Sequence, residues 1–215
     1  VIKRNRQGEV PMKAPGGLTW EQYYRQERAD AMHWYYLDLD PDLANALDDL
    51  NVRKGHILDL GTGPGTQAIA LSIRGFRVTA TDISATAVDQ ARVQAEQQGP
   101  EITFREDNIL KTRLGNGFDC VFDRGCFHVL PSEKRDVYVS AVHRLLKPGG
   151  FFFLKCFSHK EQGESPYRFN PEQIEECFAT RFVVLSIVDT VYQGTRNPVP
   201  KALFCVMENR SKDAD

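Results

Sequence analysis

Four acids and a cluster of glycines carry the chemistry legible in this sequence. Asp59 closes a short apolar run, and Gly61-Thr62-Gly63-Pro64-Gly65-Thr66 follows at once. Glycines at every second position permit positive φ and let backbone N–H groups approach a bound molecule. An acid at the carboxyl end of a buried strand stands where open α/β sheets place their ligands. The stretch therefore reads as a site for a nucleotide-like cofactor. Asp82 ends the next apolar run, and a carboxylate there can accept both hydroxyl protons of a ribose. Asp107-Asn108-Ile109 follows a third such run; an acid, an amide and an apolar residue suit an amino group on a flat ring. The fourth acid opens Asp123-Arg124-Gly125-Cys126-Phe127-His128, the least generic part of the chain.

Strands and helices must alternate to bring these acids together. Residues 55–60, Phe76–Thr81, Ile102–Arg105, Phe118–Asp123 and Phe151–Phe157 read as buried strands. Between them lie helices over about 65–74, from Ser84 as N-cap to a stop at Gly99-Pro100, and from Pro131 to about 146. The first should bury Ala68, Leu71 and Ser72. The second carries a narrow stripe of Ala87, Val88, Ala91 and Ala95, and the third should turn Val137, Ala141, Val142 and Leu145 inward. A further helix follows the Asn170-Pro171 cap with Gln173 reaching back, and two last strands, 181–190 and 201–208, should pair antiparallel. The pattern predicts an α/β fold: a doubly wound, mainly parallel seven-stranded sheet with helices on both faces and an antiparallel edge.

Ahead of this core, residues 1–17 read as a solvated tail. Thr19 and Gln22 form a capping-box pattern, and Asp40-Pro41 starts a second helix with Leu43, Leu47 and Leu50 at helical spacing. Six aromatics fall within residues 20–36, among them Trp20 and Tyr24. They either pack on the sheet edge or form a lid over the cleft. The expected organisation is one domain: tail 1–17, helical lid 18–50, core 51–210.

A net charge of −2 supplies no basic field for sequence-independent nucleic-acid binding. No apolar run approaches the roughly 20 residues needed to span a bilayer, and none reads as a signal peptide. Five cysteines without a CxxC pair are most simply reduced thiols of a cytoplasmic protein.

Two cofactors compete for the glycine loop. A dinucleotide site wants G-x-G-x-x-G. Counted from Gly61, the third glycine is Thr66; counted from Gly63, it is Ala68, which only a looser pattern tolerates. The observed order of strand, acid and Gly-x-Gly-x-Gly resembles motif I of the class I S-adenosylmethionine-dependent methyltransferases. The acids at 82 and 107 and the Leu145-Leu146-Lys147-Pro148-Gly149-Gly150 turn agree with that family over about residues 55–207. The resemblance implies S-adenosylmethionine as cofactor, held by Asp59, Gly61, Thr62, Gly63, Gly65 and Thr66 at its methionine end. Asp82 and Ile83 would meet the ribose, and Asp107, Asn108 and Ile109 the adenine. Asp123 would contribute at the amino group, with Trp20 and Tyr24 as cover. Asp123-Arg124-Gly125 is similar to the thiopurine methyltransferase-like branch of small-molecule enzymes.

The implied reaction is an in-line displacement onto a small-molecule sulfur, oxygen or nitrogen acceptor, in a monomer or homodimer. A thiol needs little help from a base. A hydroxyl or protonated amine would need one, and His128, oriented by Asp123, is the candidate; it could equally pack or cap a helix start. Asp123 could instead pair with Arg124. Arg124 suits an acidic substrate or a structural ion pair, and Cys126 suits packing better than nucleophilic attack. Lys155, Ser158, His159 and Arg168 are further substrate candidates, or a solvated loop. Cys126-x-His128 with Cys156-x-x-His159 lacks a zinc spacing, so no metal is expected. The competing functions are a nicotinamide-dependent oxidoreductase, a protein lysine methyltransferase and a non-catalytic cofactor binder.

Overall fold

In a computed structural model of the chain, residues 13–98, 101–163 and 166–210 are described. Five strands, mutually parallel, form most of the sheet: β1 (His56–Leu60), β2 (Arg77–Asp82), β3 (Ile102–Glu106), β4 (Phe118–Arg124) and β5 (Leu146–Phe157). With β6 (Phe182–Val191) and β7 (Lys201–Asn209) they make one seven-stranded sheet in the order β3-β2-β1-β4-β5-β7-β6. Strand order reverses between β1 and β4, which opens the crevice where such sheets bind ligands. The antiparallel pair lies at the edge as expected. The reversed strand is β7, slotted between β5 and the outermost β6.

The N-terminal segment begins with α1 (Trp20–Gln26), whose Thr19–Gln22 capping box is formed. Of the expected tail, residues 1–12 lie outside the described residues, as does the helix stop at Gly99-Pro100; Pro15–Gly17 form a short 3₁₀ turn.

Helices α2 (Pro41–Asp49), α3 (Thr66–Ile73), α5 (Ser132–Leu145) and α6 (Pro171–Phe178) follow the expected starts and stops, and α4 (Ala85–Gln98) starts after Ser84 as expected. One sheet face buries Ile57, Val78, Phe122 and Phe153 against Leu43 and Leu47 of α2 and Leu71 of α3. The other buries Leu58, Val121 and Phe152 against α5 and α6. Ala68 and Leu71 are fully buried, whereas Ser72 is half-buried. In α5 Val142 and Leu145 are buried and Ala141 packs half-buried on the core as expected, but Val137 is not part of the inward face. Val137 is 45% exposed, while Tyr138 is buried with Val139, Val142 and Leu145. The reason is polar: the Tyr138 hydroxyl donates to the Asp123 carboxylate beneath it. The Lys147–Gly150 turn is absorbed into β5 as an irregularity, since Leu146 pairs with Phe118 and Phe151 with Cys120.

Candidate active site

The glycine loop departs from β1 with Gly61, Gly63 and Gly65 all at positive φ (71°, 53° and 83°). Two of them also meet neighbours that leave no room for a side chain. A Cβ on Gly65 would lie 2.8 Å from Cβ of Ala91, so the alanine stripe of α4 lets that helix close on the loop. A Cβ on Gly63 would lie 2.7 Å from the Tyr24 hydroxyl. Thr62 donates its hydroxyl to Asp59 at 2.6 Å, which leaves that carboxylate's other oxygen for the site. Asp82 accepts the backbone N–H of Gly63 (3.0 Å) and of Ser84 (2.9 Å). Burial pushes both acids up to about 6 against these hydrogen bonds. Thr66 starts α3 and is buried beside them.

At the other end a cavity of about 380 Å³ is lined by Ile83, Asp107 and Asn108 together with Arg105, Lys111 and Arg113. Asp107 Oδ2 is buried there without a hydrogen-bond partner. An orphaned buried acceptor of this kind calls for a donor from a ligand. Asn108 uses its side-chain oxygen to cap Leu110, and Ile109 turns away from the cavity into the core.

The aromatic segment is closed over the loop. Tyr24 is 4% exposed and packs with Trp20, Tyr23 and Trp34, whose ring centroids lie 5.7–6.3 Å apart. Glu21 holds it down: its carboxylate accepts the Ser84 hydroxyl (2.7 Å) and the Thr86 N–H (3.1 Å) and hydroxyl (2.8 Å). Those bonds, the Ser84 hydroxyl foremost, keep Glu21 down at about 2. A glutamate on one helix thus caps the N-terminus of another, α4.

The loop after β4 turns on Asp123. One oxygen accepts the N–H groups of Gly125 (2.8 Å) and Cys126 (2.6 Å), and the other accepts that of Phe127 (2.9 Å) and the Tyr138 hydroxyl. This acid shapes the loop and does not orient His128, a correction to the expected dyad. It is not paired with Arg124 either. Arg124 reaches back to Asp40 (2.8 Å) and to the carbonyls of Trp34 (3.0 Å) and Gln193 (2.5 Å). Lys155, fully buried, donates to both oxygens of Asp40 (2.9 and 2.8 Å), to Asp42 (2.6 Å) and to Gln193 (2.6 Å). Neither cation is available to an acidic substrate, because each is already committed to the start of α2. Ser158 is buried and accepts from the Lys160 N–H, and His159 lies exposed on the surface turn; both correct the substrate role expected of that stretch.

His128 is 7% exposed, stacked on Phe157 at 4.8 Å and 9°, with Nδ1 lacking a partner. Burial first, then the Arg168 and Arg124 charges, push it down to about 3. Arg168 donates to the carbonyls of Pro166 and Gln162 and lies over Phe157. Cys126 is half-buried beside Gly61, and burial raises its thiol well above the ordinary range, so it is packing rather than a nucleophile. Among the described residues no three His, Cys, Asp or Glu side chains converge as a metal set, and no helix is long and apolar enough to cross a membrane. Sequence reasoning did not single out Glu21, Tyr192 or Gln67, which donates to the carbonyls of Tyr36 and Asp38 and accepts from the Asp40 N–H. An isolated polar residue on a helix, or a lone tyrosine in a connection after a strand, gives no periodic or motif signal by which to find it.

Residues 57–150, from β1 through the turn into β5, match the family model described as a methyltransferase domain. Residues 57–150 are thus a methyltransferase domain, which with the fold supports a class I S-adenosylmethionine-dependent methyltransferase. This methyltransferase is 28% identical over 114 residues to an uncharacterized methyltransferase of Schizosaccharomyces pombe, covering 53% of the chain and 77% of that protein. It is 25% identical over 174 residues to the "Probable thiol methyltransferase 2" of Arabidopsis thaliana, covering 79% of the chain and 76% of that protein. Its fold is shared, at a TM-score of 0.79 and 22% identity over 91% of this chain and 92% of the other, with a structure described for conversion of a disulfide bond into a thioacetal group during echinomycin biosynthesis.

Proposed function

We propose that this methyltransferase transfers the methyl group of S-adenosylmethionine to a small-molecule acceptor whose attacking atom is sulfur. One observation carries the choice of sulfur: among the described residues the acceptor side offers no competent base. His128 is neutral at pH 7, but its conjugate acid is far too strong to drive proton removal from a hydroxyl or an ammonium. Asp123 has every acceptor position engaged by Gly125, Cys126, Phe127 and Tyr138. A thiol is already partly ionised near neutral pH and needs neither. The likeness to a plant protein named for thiol methylation agrees with this reading.

When bound, the cofactor supplies an activated methyl on a sulfonium; the protein supplies placement and dryness. Gly61, Gly63 and Gly65 make room for its methionine end, with Asp59, Thr62 and Thr66 behind them. Asp82 accepts the ribose hydroxyls, and Asp107 Oδ2 the adenine amino group. Ile83 and Asn108 form the apolar and amide frame of the ring, and Ile109, turned into the core, is not part of it. Tyr24, Trp20 and the aromatic segment up to Tyr36 act as a lid that excludes water, whereas α2 belongs to the core layer. Arg168 stands at the acceptor end, and the enzyme works in the cytoplasm as a monomer or homodimer on free small molecules.

Calorimetry with S-adenosylhomocysteine tests the cofactor half. Asp82→Ala should weaken binding by about 1–3 kcal/mol, because it strands ribose hydroxyls; an unchanged affinity refutes the ribose role. A panel of thiols, phenols, amines and lysine peptides tests the acceptor half. Methyl thioethers are the expected products, and methylation confined to oxygen or nitrogen would sink the sulfur reading.

A further inference from the structure

Tyr192 follows β6 at the start of the connection to β7 and is 5% exposed. Its ring is fixed from several directions. The Arg124 guanidinium lies 4.8 Å from its centroid and Lys155 Nζ 5.9 Å, while Phe157 packs at 5.0 Å and His128 at 5.8 Å. Its N–H donates to the Pro200 carbonyl at 2.7 Å. The hydroxyl end is directed at Gly125. A Cβ there would stand 2.8 Å from Tyr192 Oη and 3.5 Å from His128 Nε2. The phenol and the imidazole therefore share one small space, open only because residue 125 has no side chain.

That space sits at the end of β4, one residue from Cys126, which packs on Gly61 of the cofactor loop. His128 Nδ1 is buried without a partner, which is rare for a satisfied core. The charges behind the wall cancel: Arg124 and Lys155 are matched by Asp40 and Asp42. Tyr192 and His128 are the polar, uncharged side chains that close on Gly125, with the charged Arg168 beyond them over Phe157.

Resting on the reading that sulfur attacks, we propose that Tyr192, together with His128, reads a neutral hydrogen-bonding group beside the acceptor's attacking atom. Tyr192 is the specificity-determining residue; Arg124 and Lys155 are positioning residues that act through its ring. A site built to bond such a group discriminates against the analogue lacking it, because its own polar atoms are then left unpaired.

The test compares thiophenol with 2-mercaptophenol, which adds a hydroxyl next to the sulfur, as methyl acceptors for the full chain. The kcat/KM ratio of the two thiols is measured in wild type, Tyr192→Phe and His128→Asn, so that intrinsic reactivity cancels. Each variant should lower the ratio about tenfold, through loss of 2-mercaptophenol while thiophenol holds or rises as the unpaired polar atom is removed, and S-adenosylhomocysteine affinity should stay at the wild-type value. A ratio preserved in Tyr192→Phe, or both thiols falling together, overturns the assignment alone. Loss of S-adenosylhomocysteine affinity overturns it too, since Tyr192 would then serve the cofactor. Cofactor binding without transfer to either thiol overturns the sulfur reading and this assignment together.

Discussion

Asp40→Asn should be among the most destabilising single-atom-scale changes available in this protein. Asp40 is fully buried and takes three charged hydrogen bonds, two from Lys155 and one from Arg124, at 2.8–2.9 Å. It also caps α2 by accepting the Asp42 N–H. Asparagine keeps the shape and the cap but removes the charge, leaving two buried cations facing Asp42 alone. Removing one partner from a buried ion pair costs about 3–5 kcal/mol. Because Asp42 still reaches Lys155, the lower end, about 3 kcal/mol, is the expected value. For chains of roughly this size each kcal/mol shifts Tm by about 2–4 °C, so a fall of about 6–12 °C is expected in calorimetry, with matching loss in urea unfolding. Arg92→Ala, which breaks an exposed pair with Asp89, is the control and should stay within about 0.5 kcal/mol. A cost for Asp40→Asn below about 1 kcal/mol would falsify the view that this network holds its charges dry.

Two more outcomes follow from the same geometry. Trp20 and Trp34 are the only tryptophans of the sequence, and both belong to the segment that Glu21 ties to α4, so intrinsic fluorescence reports that contact directly. Glu21→Gln should shift emission to the red and speed release of S-adenosylhomocysteine; in the wild type the same shift should appear only in acid, because Glu21, held near 2 in the fold against 4.5 unfolded, contributes above pH 4.5 and loses its grip as pH falls through about 2. An unshifted spectrum in the variant would show that Glu21 does not hold the segment. His128 works in the opposite sense to a protonated partner: unfolded it takes up a proton near pH 6.5, folded only near 3, so folding loses about 1.4 kcal/mol by pH 5.5 relative to pH 8. Asp59, Asp82 and Asp123, raised to about 6, oppose it between about pH 6 and 4, so the readout is wild type minus His128→Asn; a difference flat between pH 8 and 5 refutes a buried neutral imidazole.

Local chemistry accounts for what is legible in the sequence. The alternation of apolar runs with capped helices requires a parallel sheet, since each buried strand and each cap is a short-range signal. The glycines with Asp59 and Asp82 require a ligand at the strand ends, because positive φ and a strand-terminal acid have few other uses. Even the alanine stripe that includes Ala91 is visible, although its purpose, contact with Gly65, is not.

The partners of the charges are not legible. Arg124 stands one residue from Asp123, yet it bonds Asp40, 84 residues away in sequence, while Asp123 turns to its own loop and to Tyr138. Lys155 sits in a strand that reads as a route to the substrate and is instead sealed against α2. Tyr192 belongs to an edge connection with no motif at all. Spacing along a chain encodes which face of an element a side chain takes. Which of several acids a cation chooses depends on how helices and loops from distant positions close over the sheet, and only the folded chain brings those positions within hydrogen-bond reach.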